Sequence, residues 1–340
     1  MGENPLISVV TLNWNGIQVV EKCLNSLRRQ TYAPLEIIVV DNASTDGSTE
    51  LIRRDFPEVK LIVNEKNLGF GGGNNVGIRA SRGRYIMMLN NDTRLVPECI
   101  QALKDAIEKD EKYGACASKI LLEYEDDLID AAGIAVCLDG LSIGRGRLEK
   151  GHLYDEETEV FFASDGACLY RRKMLEDIGL YDEDFFAYAD ETDMGWRAQL
   201  AGWKCIYNPK AVVYHFHSAT AGKYSPFKAF LVERNRIWVA IKSFPLSLLV
   251  TGQFYTIYRY IMQAYGAFTG KGAAGRFTSD FSKLELIKIL VKVYVSVIKS
   301  FSLMLGKRKV IQKKKRISNR DIYELFKKYG ISARDIAFRE

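Results

Sequence analysis

The 340-residue sequence lacks the CxxC spacing of cysteines, and its first residues lack the pattern of a secretory leader. Its six cysteines are scattered through the first 205 residues without a CxxC pair, and most have apolar neighbours. We therefore interpret them as reduced core residues of a cytoplasmic protein. The opening residues, MGENPLISVV, contain no basic stretch followed by a long apolar run, so no signal peptide is predicted.

Acidic residues are scarce in one part of the chain only. Residues 221–316 contain 19 Lys and Arg against 3 Asp and Glu, a balance of +16, whereas residues 1–220 contain 24 against 35, a balance of −11. The composition, 47% hydrophobic and 26% charged, is ordinary for a folded protein. The sequence therefore predicts an acidic globular body, 1–220, followed by a basic region, 221–340.

The body begins with alternating strand and helix patterns. LISVVTLNW (6–14) and LEIIVVDNAS (35–44) are β-branched runs, and VEKCLNSLRRQT (20–31) between them has apolar residues at helical spacing. The alternation continues to GRYIMMLNND and predicts a parallel sheet covered on both faces. Ligands bind such sheets beyond the carboxyl ends of the strands. Polar residues follow the strands at that edge: Asn13, Asn15, Asp41, Asn42, Asn64, Asn90, Asn91 and Asp92.

The second half of the body is less periodic. A helix is predicted over 97–112, and strand candidates in 115–165 include GIAVCL and EVFFAS. DGACLYRRKMLEDIGLYDEDFF is interpreted as helical, DETDMGWRAQLAGW (190–203) as a helix with an acidic cap, and KCIYNPKAVVYHFH as a last strand ending near residue 217.

The basic region favours a membrane surface. The apolar segment 284–305 carries Lys288, Lys292 and Lys299 on one helical stripe, which suits an interfacial helix better than a spanning one. Seven of the ten residues in 307–316 are basic, as expected for contact with an anionic leaflet. A helical subdomain with a solvated basic face is the alternative. Nucleic acid binding is disfavoured because no recognised module accompanies the charge.

Several side chains could carry chemistry. Asp92 can offer hard oxygen to Mg²⁺ or Mn²⁺, and His215 or His217 could be a nitrogen ligand to the same ion. The Gly-rich segment 64–75 precedes a helix whose N-terminus would favour a phosphate. In DETD, we expect Asp190 to cap the helix and one of the acids to act as a general base.

Six segments together resemble family 2 glycosyltransferases of the rhamnosyltransferase-like branch, over about residues 5–220. They are ISVVTLNWNG, QTYAPLEIIVVDNASTDGS, NLGFGGGNNVGI, YIMMLNNDTRLVP, SDGACLYRRKMLEDIGLYDEDFFAYADETD and RAQLAGWKCIYNPKAVVYH. The resemblance implies a GT-A fold, which is a Rossmann-like, mainly parallel sheet with flanking helices. In this sequence we expect a helical, basic and amphipathic C-terminal extension, residues 221–340, in addition to that fold. It also implies a nucleoside-diphosphate sugar donor, a divalent metal (Mg²⁺ or Mn²⁺) and inversion at the anomeric carbon.

The resemblance assigns roles by position. NND replaces the family's DxD motif, with Asp92 as metal ligand, Asn90 in place of the first acid, and His215 as the histidine ligand. The family's Glu-Asp pair is reversed to Asp190-Glu191, so Glu191 is the expected base, with Asp190 and Asp193 as alternatives. The remaining residues expected at the donor are Thr11, Asn13, Asp41, Asp46, Asn67, Gly69, Asn91 and Asp165. Of these, Asp41 would contact the pyrimidine base of the nucleotide, and Asp165 would contact the donor or acceptor sugar.

These expectations combine into an inverting sugar transferase on the cytoplasmic face of the membrane, acting on a saccharide or polyprenyl-linked acceptor in surface polysaccharide synthesis. The branch resemblance implies rhamnose from a thymidine diphosphate, and a uridine diphosphate sugar remains open. One alternative is a sugar nucleotidyltransferase, but the basic Gly-rich loop that it needs directly after the first strand is absent from LNWNGIQVV. The other is a non-catalytic nucleotide-sugar-binding protein.

Overall fold

The computed structural model describes residues 4–125, 127–216, 225–270 and 281–338. The described strands are β1 Ile7–Asn13, β2 Leu35–Asp41, β3 Lys60–Val63, β4 Tyr85–Asn90, β5 Thr93–Leu95, β6 Tyr113–Leu122, β7 Ile129–Ala131, β8 Ile134–Val136, β9 Ser142–Gly144, β10 Thr158–Val160, β11 Ala167–Arg171 and β12 Lys204–His215. The described helices are α1 Val20–Arg28, α2 Ser48–Asp55, α3 Gly69–Ala80, α4 Cys99–Ile107, α5 Arg172–Ile178, α6 Asp190–Leu200, α7 Pro226–Ser243, α8 Leu246–Thr269, α9 Lys283–Lys314, α10 Asn319–Tyr329 and α11 Ala333–Phe338.

A ten-stranded mixed sheet forms the centre of the N-terminal part, which confirms the predicted α/β class. Its main path runs β10-β12-β6-β11-β4-β1-β2-β3, with β5 joined to β12 and β7 joined to β6. The first four long strands pair in parallel, whereas β11 lies antiparallel between β4 and β6. The carboxyl ends of β1, β2 and β4 therefore meet at one edge.

Apolar burial explains the first strands and their helices. Ile7 and Val9 of β1 are completely buried, and the face of α1 that carries Cys23 and Leu24 packs into the same core. All six cysteines are free and buried, as the sequence predicted. Burial raises the pKa of the Cys23 thiol to about 12, so this side chain is an inert core residue.

The sequence interpretation of two central strands is wrong. ACLYR was expected to be helical, but it forms β11, with every residue buried between β4 and β6, and α5 begins only at Arg172. The ten-residue strand β6, YGACASKILL, was not predicted. Short apolar runs do not separate strand from helix by period, and here the neighbouring strands decide the outcome.

The described residues form two compact units. One contains residues 4–125, 127–134, 144–198 and 203–216, and the other contains 135–143, 199–202, 225–270 and 281–338. The predicted division at residue 220 stays a prediction, since the second unit also takes two short segments from the body.

A buried ion network holds the second unit together. Arg259 is fully buried and donates from Nε to Asp139 (2.7 Å) and from both terminal nitrogens to Glu233 (2.8 and 3.0 Å). Arg236 donates to the same Glu233 at 2.6 Å. Because the two cations face two anions with hydrogen bonds, their burial is compensated.

Helix α8 is polar inside and apolar outside. Thr256 and Arg259 face the protein, whereas a stripe of apolar side chains on the other side is exposed. The stripe is Leu246, Val250, Phe254, Ile257, Tyr258, Ile261, Tyr265 and Phe268. Arg259 lies within this run in the sequence, but its side chain is buried and donates to Asp139, so it does not reach the outer face. The exposed side of α8 is therefore mostly apolar, with Ser247, Thr251, Gln253 and Thr269 as its exposed polar residues.

Candidate active site

Strand pairing brings Asp92 beside His215. β4 ends at Asn90, a turn of two residues follows, and β5 pairs with the end of β12 so that Thr93 lies opposite His215. Asp92 Oδ1 is 3.1 Å from His215 Nε2, and the Phe216 backbone N–H donates to the Asp92 carbonyl at 2.9 Å. The second candidate, His217, lies outside the described residues.

A second carboxylate, which the sequence analysis missed, orients the histidine. His215 Nδ1 lies 2.7 Å from Asp130 Oδ2, and Asp130 is itself paired with Arg147. Burial opposes protonation of the imidazole, but the hydrogen bonds and charges of Asp130 and Asp92 outweigh it and raise the pKa of His215 to about 10. With Nδ1 donating to Asp130, Nε2 is the ring atom directed at Asp92.

This pair of donors fits a divalent cation that is only partly bound by protein. One carboxylate and one imidazole, once the incoming cation displaces the Nε2 proton of His215, suit Mg²⁺ or Mn²⁺ when phosphate oxygens and water supply the other positions. Within the described residues, no group of three or more His, Cys, Asp or Glu side chains is arranged to hold a metal ion alone. A cation at this site would therefore depend on ligands from the substrate.

A hydrogen-bond network joins the ends of β1, β2 and β4. The buried Asn13 donates from Nδ2 to Asp41 (2.8 Å) and Ser48 (2.9 Å) and accepts at Oδ1 from Asn91 (2.8 Å). Ser48 in turn donates to Asp46 at 2.5 Å. Although partial burial raises it, hydrogen bonds to Ser48 and to the Ile17 N–H hold the pKa of Asp46 below its usual value. The network fixes four predicted donor-side residues relative to one another.

The Gly-rich segment is explained largely by packing against protein. Gly69 has φ +75°, and a Cβ there would lie 2.3 Å from the Phe186 carbonyl oxygen. A Cβ on Gly73 would lie 2.4 Å from Leu12 Cδ1. Asn67 accepts from the Gly69 N–H at 2.8 Å, so this N–H is already used. The expected contacts of Asn67 and Gly69 with a nucleotide stay predictions.

Two predicted donor-side residues have unused hydrogen-bonding capacity. The half-buried Asn90 side chain has no hydrogen-bond partner among the described residues, and its backbone N–H donates to the Gly166 carbonyl at 3.0 Å. The buried Thr11 hydroxyl likewise has no partner in the described part of the chain. Both side chains can therefore accept or donate a bond to a ligand.

Asp165 lies next to the end of β4 in an unusual setting for a carboxylate. Its Oδ1 accepts from the hydroxyls of Tyr170 (2.5 Å) and Tyr181 (2.8 Å), while Oδ2 is buried without a partner among the described residues. Burial outweighs these two bonds and raises the pKa of Asp165 to about 6.

The acids of DETD join Asp165 in one carboxylate cluster. Burial, followed by the charges of Glu191, Asp165 and Asp193, raises the pKa of Asp190 well above its usual value. Burial and the charge of Asp165 raise the pKa of Glu191 to about 7. Asp193 is committed to an ion pair with Arg197 at 2.8 Å. A partly exposed carboxyl group that titrates near neutral pH is suited to proton transfer, which favours Glu191 as the base.

The predicted capping role of Asp190 is wrong. Neither of its carboxylate oxygens accepts a hydrogen bond from the described residues, and a Cβ on Gly71 would lie 3.0 Å from its Oδ1. The preceding loop holds Phe186, Tyr188 and Ala189 at φ 67°, 67° and 62°, a conformation that costs non-glycine residues about 1 kcal/mol or more each. This strained loop delivers Asp190 and Glu191 to the cluster.

Comparison with known proteins identifies the family. A model of the family described as glycosyl transferase family 2 matches residues 8–179, half of the chain. The chain belongs to glycosyl transferase family 2. It is 26% identical over 242 residues to the N-acetylglucosaminyl-diphospho-decaprenol L-rhamnosyltransferase of Mycobacterium tuberculosis, an alignment that covers 64% of this chain and 78% of the relative. The protein is thus a glycosyltransferase, as the sequence predicted.

Solved structures of other transferases share the fold. The mannosyltransferase PcManGT from Pyrobaculum calidifontis, in complex with GDP-Man and Mn²⁺, matches with a TM-score of 0.56 and 14% identity over 92% of this chain and 86% of its own. Residues 1–349 of TarS from S. aureus, in complex with UDP-GlcNAc, match with a TM-score of 0.55 and 17% identity over 95% and 92%. At these identities the likeness concerns the fold alone, and it confirms the GT-A type.

Proposed function

We propose that this family 2 glycosyltransferase is metal-dependent and inverting, and that it transfers L-rhamnose from a thymidine-diphosphate donor to a lipid-linked saccharide in cell-surface polysaccharide synthesis. One observation carries the proposal. Two potential metal ligands, Asp92 and His215, lie in contact, and a carboxylate cluster containing Glu191 is assembled beside the same strand ends. Donor and acceptor identity rest on the similarity to the mycobacterial rhamnosyltransferase.

The chain's own carboxylate can serve as the base of a single displacement. Glu191, as carboxylate, accepts the proton of the acceptor hydroxyl while that oxygen attacks the anomeric carbon from the face opposite the diphosphate. The bond between the anomeric carbon and the phosphate oxygen breaks, and configuration inverts. A divalent cation bound by Asp92 and His215 would neutralise the charge that develops on the leaving diphosphate. No second carboxylate nucleophile is required, unlike in retaining glycosidases.

The alternatives lack support from particular residues. A nucleotidyltransferase needs a basic Gly-rich loop after β1, whereas the segment here supplies Asn13, Asn15 and a turn hydrogen-bonded to Asp46. A non-catalytic binding protein has no need of a carboxyl group tuned near neutral pH.

The donor can be tested by ligand-induced stabilisation. We expect the melting temperature to rise with a thymidine-diphosphate ligand in the presence of Mn²⁺, because a ligand at 100 times its dissociation constant stabilises by about 2.7 kcal/mol. The same ligand with EDTA should give a much smaller shift. A larger metal-dependent shift with uridine diphosphate or guanosine diphosphate would show that the donor carries that nucleoside and not thymidine. The absence of any shift would contradict the transferase proposal.

Membrane association is the second part of the proposal, with an anionic cytoplasmic leaflet as the partner. Besides the apolar stripe on α8, α9 exposes Leu284, Ile287, Val291 and Ile298 while Val293 packs inward. Residues Leu284–Lys314 form the one described helix that is long and apolar enough to cross a membrane. We favour an interfacial position, because α9 is fixed laterally to α7.

Hydrogen bonds from Trp238 and Arg308 make that lateral attachment. Such bonds also leave fewer of the basic side chains available to lipid phosphates. Trp238 donates to Ser300 at 2.8 Å, and Arg308 donates to the carbonyls of Ile241 and Phe244, both at 2.7 Å. Of the seven basic residues in 307–316, Arg308 and Arg316 are thus engaged with backbone, the latter with the Ala201 carbonyl at 3.0 Å. Exposed residues such as Lys309 and Lys313 can still contact lipid phosphates.

Membrane binding is tested with the double variant Phe254→Ser and Ile298→Ser. Both side chains are more than 70% exposed, at 71% and 74%, so the fold should be retained. Affinity for phosphatidylglycerol vesicles should fall at least about tenfold, since each apolar side chain contributes roughly 1.5–3 kcal/mol when buried. The control Val63→Ser with Leu153→Ser removes exposed apolar groups from the other unit and should bind as the wild type does. Equal cosedimentation of all three proteins would refute the membrane surface.

A further inference from the structure

An open pocket with four basic side chains lies on the unit that carries the active site. It encloses about 400 Å³ and is lined by Lys22, Asn25, Arg28, Arg29 and Arg94, with no acidic side chain in its lining. This concentration of positive charge occurs in a body whose net charge is negative, 24 Lys and Arg against 35 Asp and Glu over residues 1–220. A solvated surface of this body would show a majority of acids, so the pocket's charge requires its own explanation.

Two of the arginines are held in place by contacts outside the pocket. Arg28 is bridged to Glu58 through two nitrogens (2.6 and 3.0 Å), and Arg94 is bridged to Glu123 at 3.0 Å and stacks over the Tyr214 ring. These contacts reduce the rotamer freedom that a ligand would otherwise have to remove. The pocket is therefore partly organised before any ligand binds.

The other two cations retain uncompensated charge. Among the described residues, neither Lys22 nor Arg29 forms an ion pair, and both are exposed. Lys22 Nζ lies 4.8 Å from the centroid of the Phe216 ring. With Asn25 as a neutral donor, the pocket offers two unpaired cations and two positioned guanidinium groups, a set that matches the charge and the several oxygens of a phosphate or diphosphate.

The pocket is connected to the predicted metal ligands through two short paths. Arg94 follows Asp92 by two residues on β5. Phe216, which contacts Lys22, donates its backbone N–H to the Asp92 carbonyl and directly follows His215. Arg94 therefore belongs to the segment that carries Asp92, and Lys22 contacts the residue that follows His215.

We propose that this basic pocket is a second anion site, separate from the donor diphosphate, and that it binds a phosphate or diphosphate group. Under the proposed function, on which the choice of ligand rests, that group is the diphosphate of the lipid-linked acceptor. An anionic lipid headgroup has the same chemistry and is the other source to be distinguished.

The first experiment uses inorganic pyrophosphate as the probe and does not depend on transferase activity. Binding is measured by calorimetry at low ionic strength and in EDTA, because the donor site is expected to need a divalent cation to hold a diphosphate and is therefore silent under these conditions. The variant Lys22→Gln with Arg29→Gln should bind at least about tenfold more weakly, because charge-assisted hydrogen bonds are lost. The control Arg53→Gln with Lys210→Gln makes the same change in net charge at exposed positions elsewhere on this unit and should leave binding unchanged. Equal weakening in both variants, or in neither, would overturn the site.

The second experiment identifies the source of the phosphate. If the acceptor supplies it, Lys22→Gln with Arg29→Gln should raise KM for a polyprenyl-diphosphate-linked saccharide about tenfold with little change in kcat or in donor KM, while binding to phosphatidylglycerol vesicles is kept. Loss of vesicle binding with an unchanged acceptor KM in detergent would overturn the acceptor assignment and give the pocket to lipid headgroups. If no sugar is transferred by the wild type, the proposed function fails, while the pyrophosphate result still decides the site.

Discussion

Replacing Glu191 with glutamine is expected to lower kcat by about 10²- to 10⁴-fold, the usual contribution of a general base, with little effect on donor affinity. Glutamine keeps the size and polarity of the side chain but cannot accept the hydroxyl proton. In the wild type, activity should fall as the pH drops below about 7, because protonation inactivates a base whose pKa is raised to about 7 by burial and by Asp165. The apparent pKa belongs to the whole carboxylate cluster, since its members titrate together.

The stability of the same variant separates a catalytic role from a structural one. A carboxyl group with a raised pKa disfavours the folded state above its ordinary pKa of about 4.3, so it opposes folding most at pH 8. Glu191→Gln should therefore melt no lower than the wild type at pH 8, even though activity is lost. The control Glu156→Gln, at an exposed position, should change neither property. If Glu191→Gln transfers normally and Asp190→Asn does not, the base is Asp190.

The sequence alone left Asp190 and Asp193 as alternatives to Glu191 for the general base. Three acids in four positions look equivalent as letters, but their surroundings differ. Asp193 is paired with Arg197, Asp190 is buried without a hydrogen-bond partner among the described residues, and Glu191 is partly exposed. Those differences arise from the strained loop before α6 and from residues more than twenty positions away, such as Asp165. The residues next to DETD in the sequence therefore do not show which of the three carboxyl groups is paired, buried or partly exposed.

In contrast, the parallel half of the sheet was predictable from local sequence. β1, β2 and β4 are mainly apolar runs that end in polar residues, and a strand buried on both faces has that pattern. β6 was missed because its small and polar residues, such as Ser118 and Lys119, disguise a central strand. Ser118 is satisfied by donating to the Ala167 carbonyl at 2.6 Å in the neighbouring strand. Only the tertiary pairing makes this segment a good strand.

Asp130 was missed because its function depends on three strands. β7 and β12 flank β6, with Ile129 opposite Leu121 and His215 opposite Leu122, and this register brings Asp130 to the histidine from 85 positions away. In the sequence, nothing in DLIDAA (127–132) distinguishes Asp130 from an ordinary polar residue of a short strand. The sequence named Asp92 and His215 as candidate metal ligands, but it gave no sign of the residue that contacts His215 Nδ1.

Replacing Asp92 with asparagine is expected to abolish metal-dependent turnover, lowering kcat/KM by at least about 10²-fold, because a metal ligand contributes several kcal/mol of charge stabilisation in the transition state. Asparagine preserves the shape of the side chain and removes the anionic oxygen that lies 3.1 Å from His215 Nε2. Asp105→Asn, at an exposed position, provides the control and should keep full activity. Full metal-dependent activity in Asp92→Asn would remove Asp92 from the metal site.

The comparison with Asp130→Asn then distinguishes binding the metal from orienting its ligand. Asp130 contacts Nδ1 of His215, the ring nitrogen on the side away from Asp92, so its substitution should weaken Mn²⁺ affinity by about 10- to 100-fold and leave kcat at saturating Mn²⁺ close to normal. Both carboxylates raise the pKa of His215 to about 10, so the stability they give is complete below about pH 6.5 and is lost as the pH rises through 10. At pH 7 both variants should therefore melt lower than the wild type. Mn²⁺ affinity, measured directly by electron paramagnetic resonance in the presence of the nucleoside diphosphate, separates the two roles. If kcat of Asp130→Asn is not restored by Mn²⁺, the orienting role is refuted.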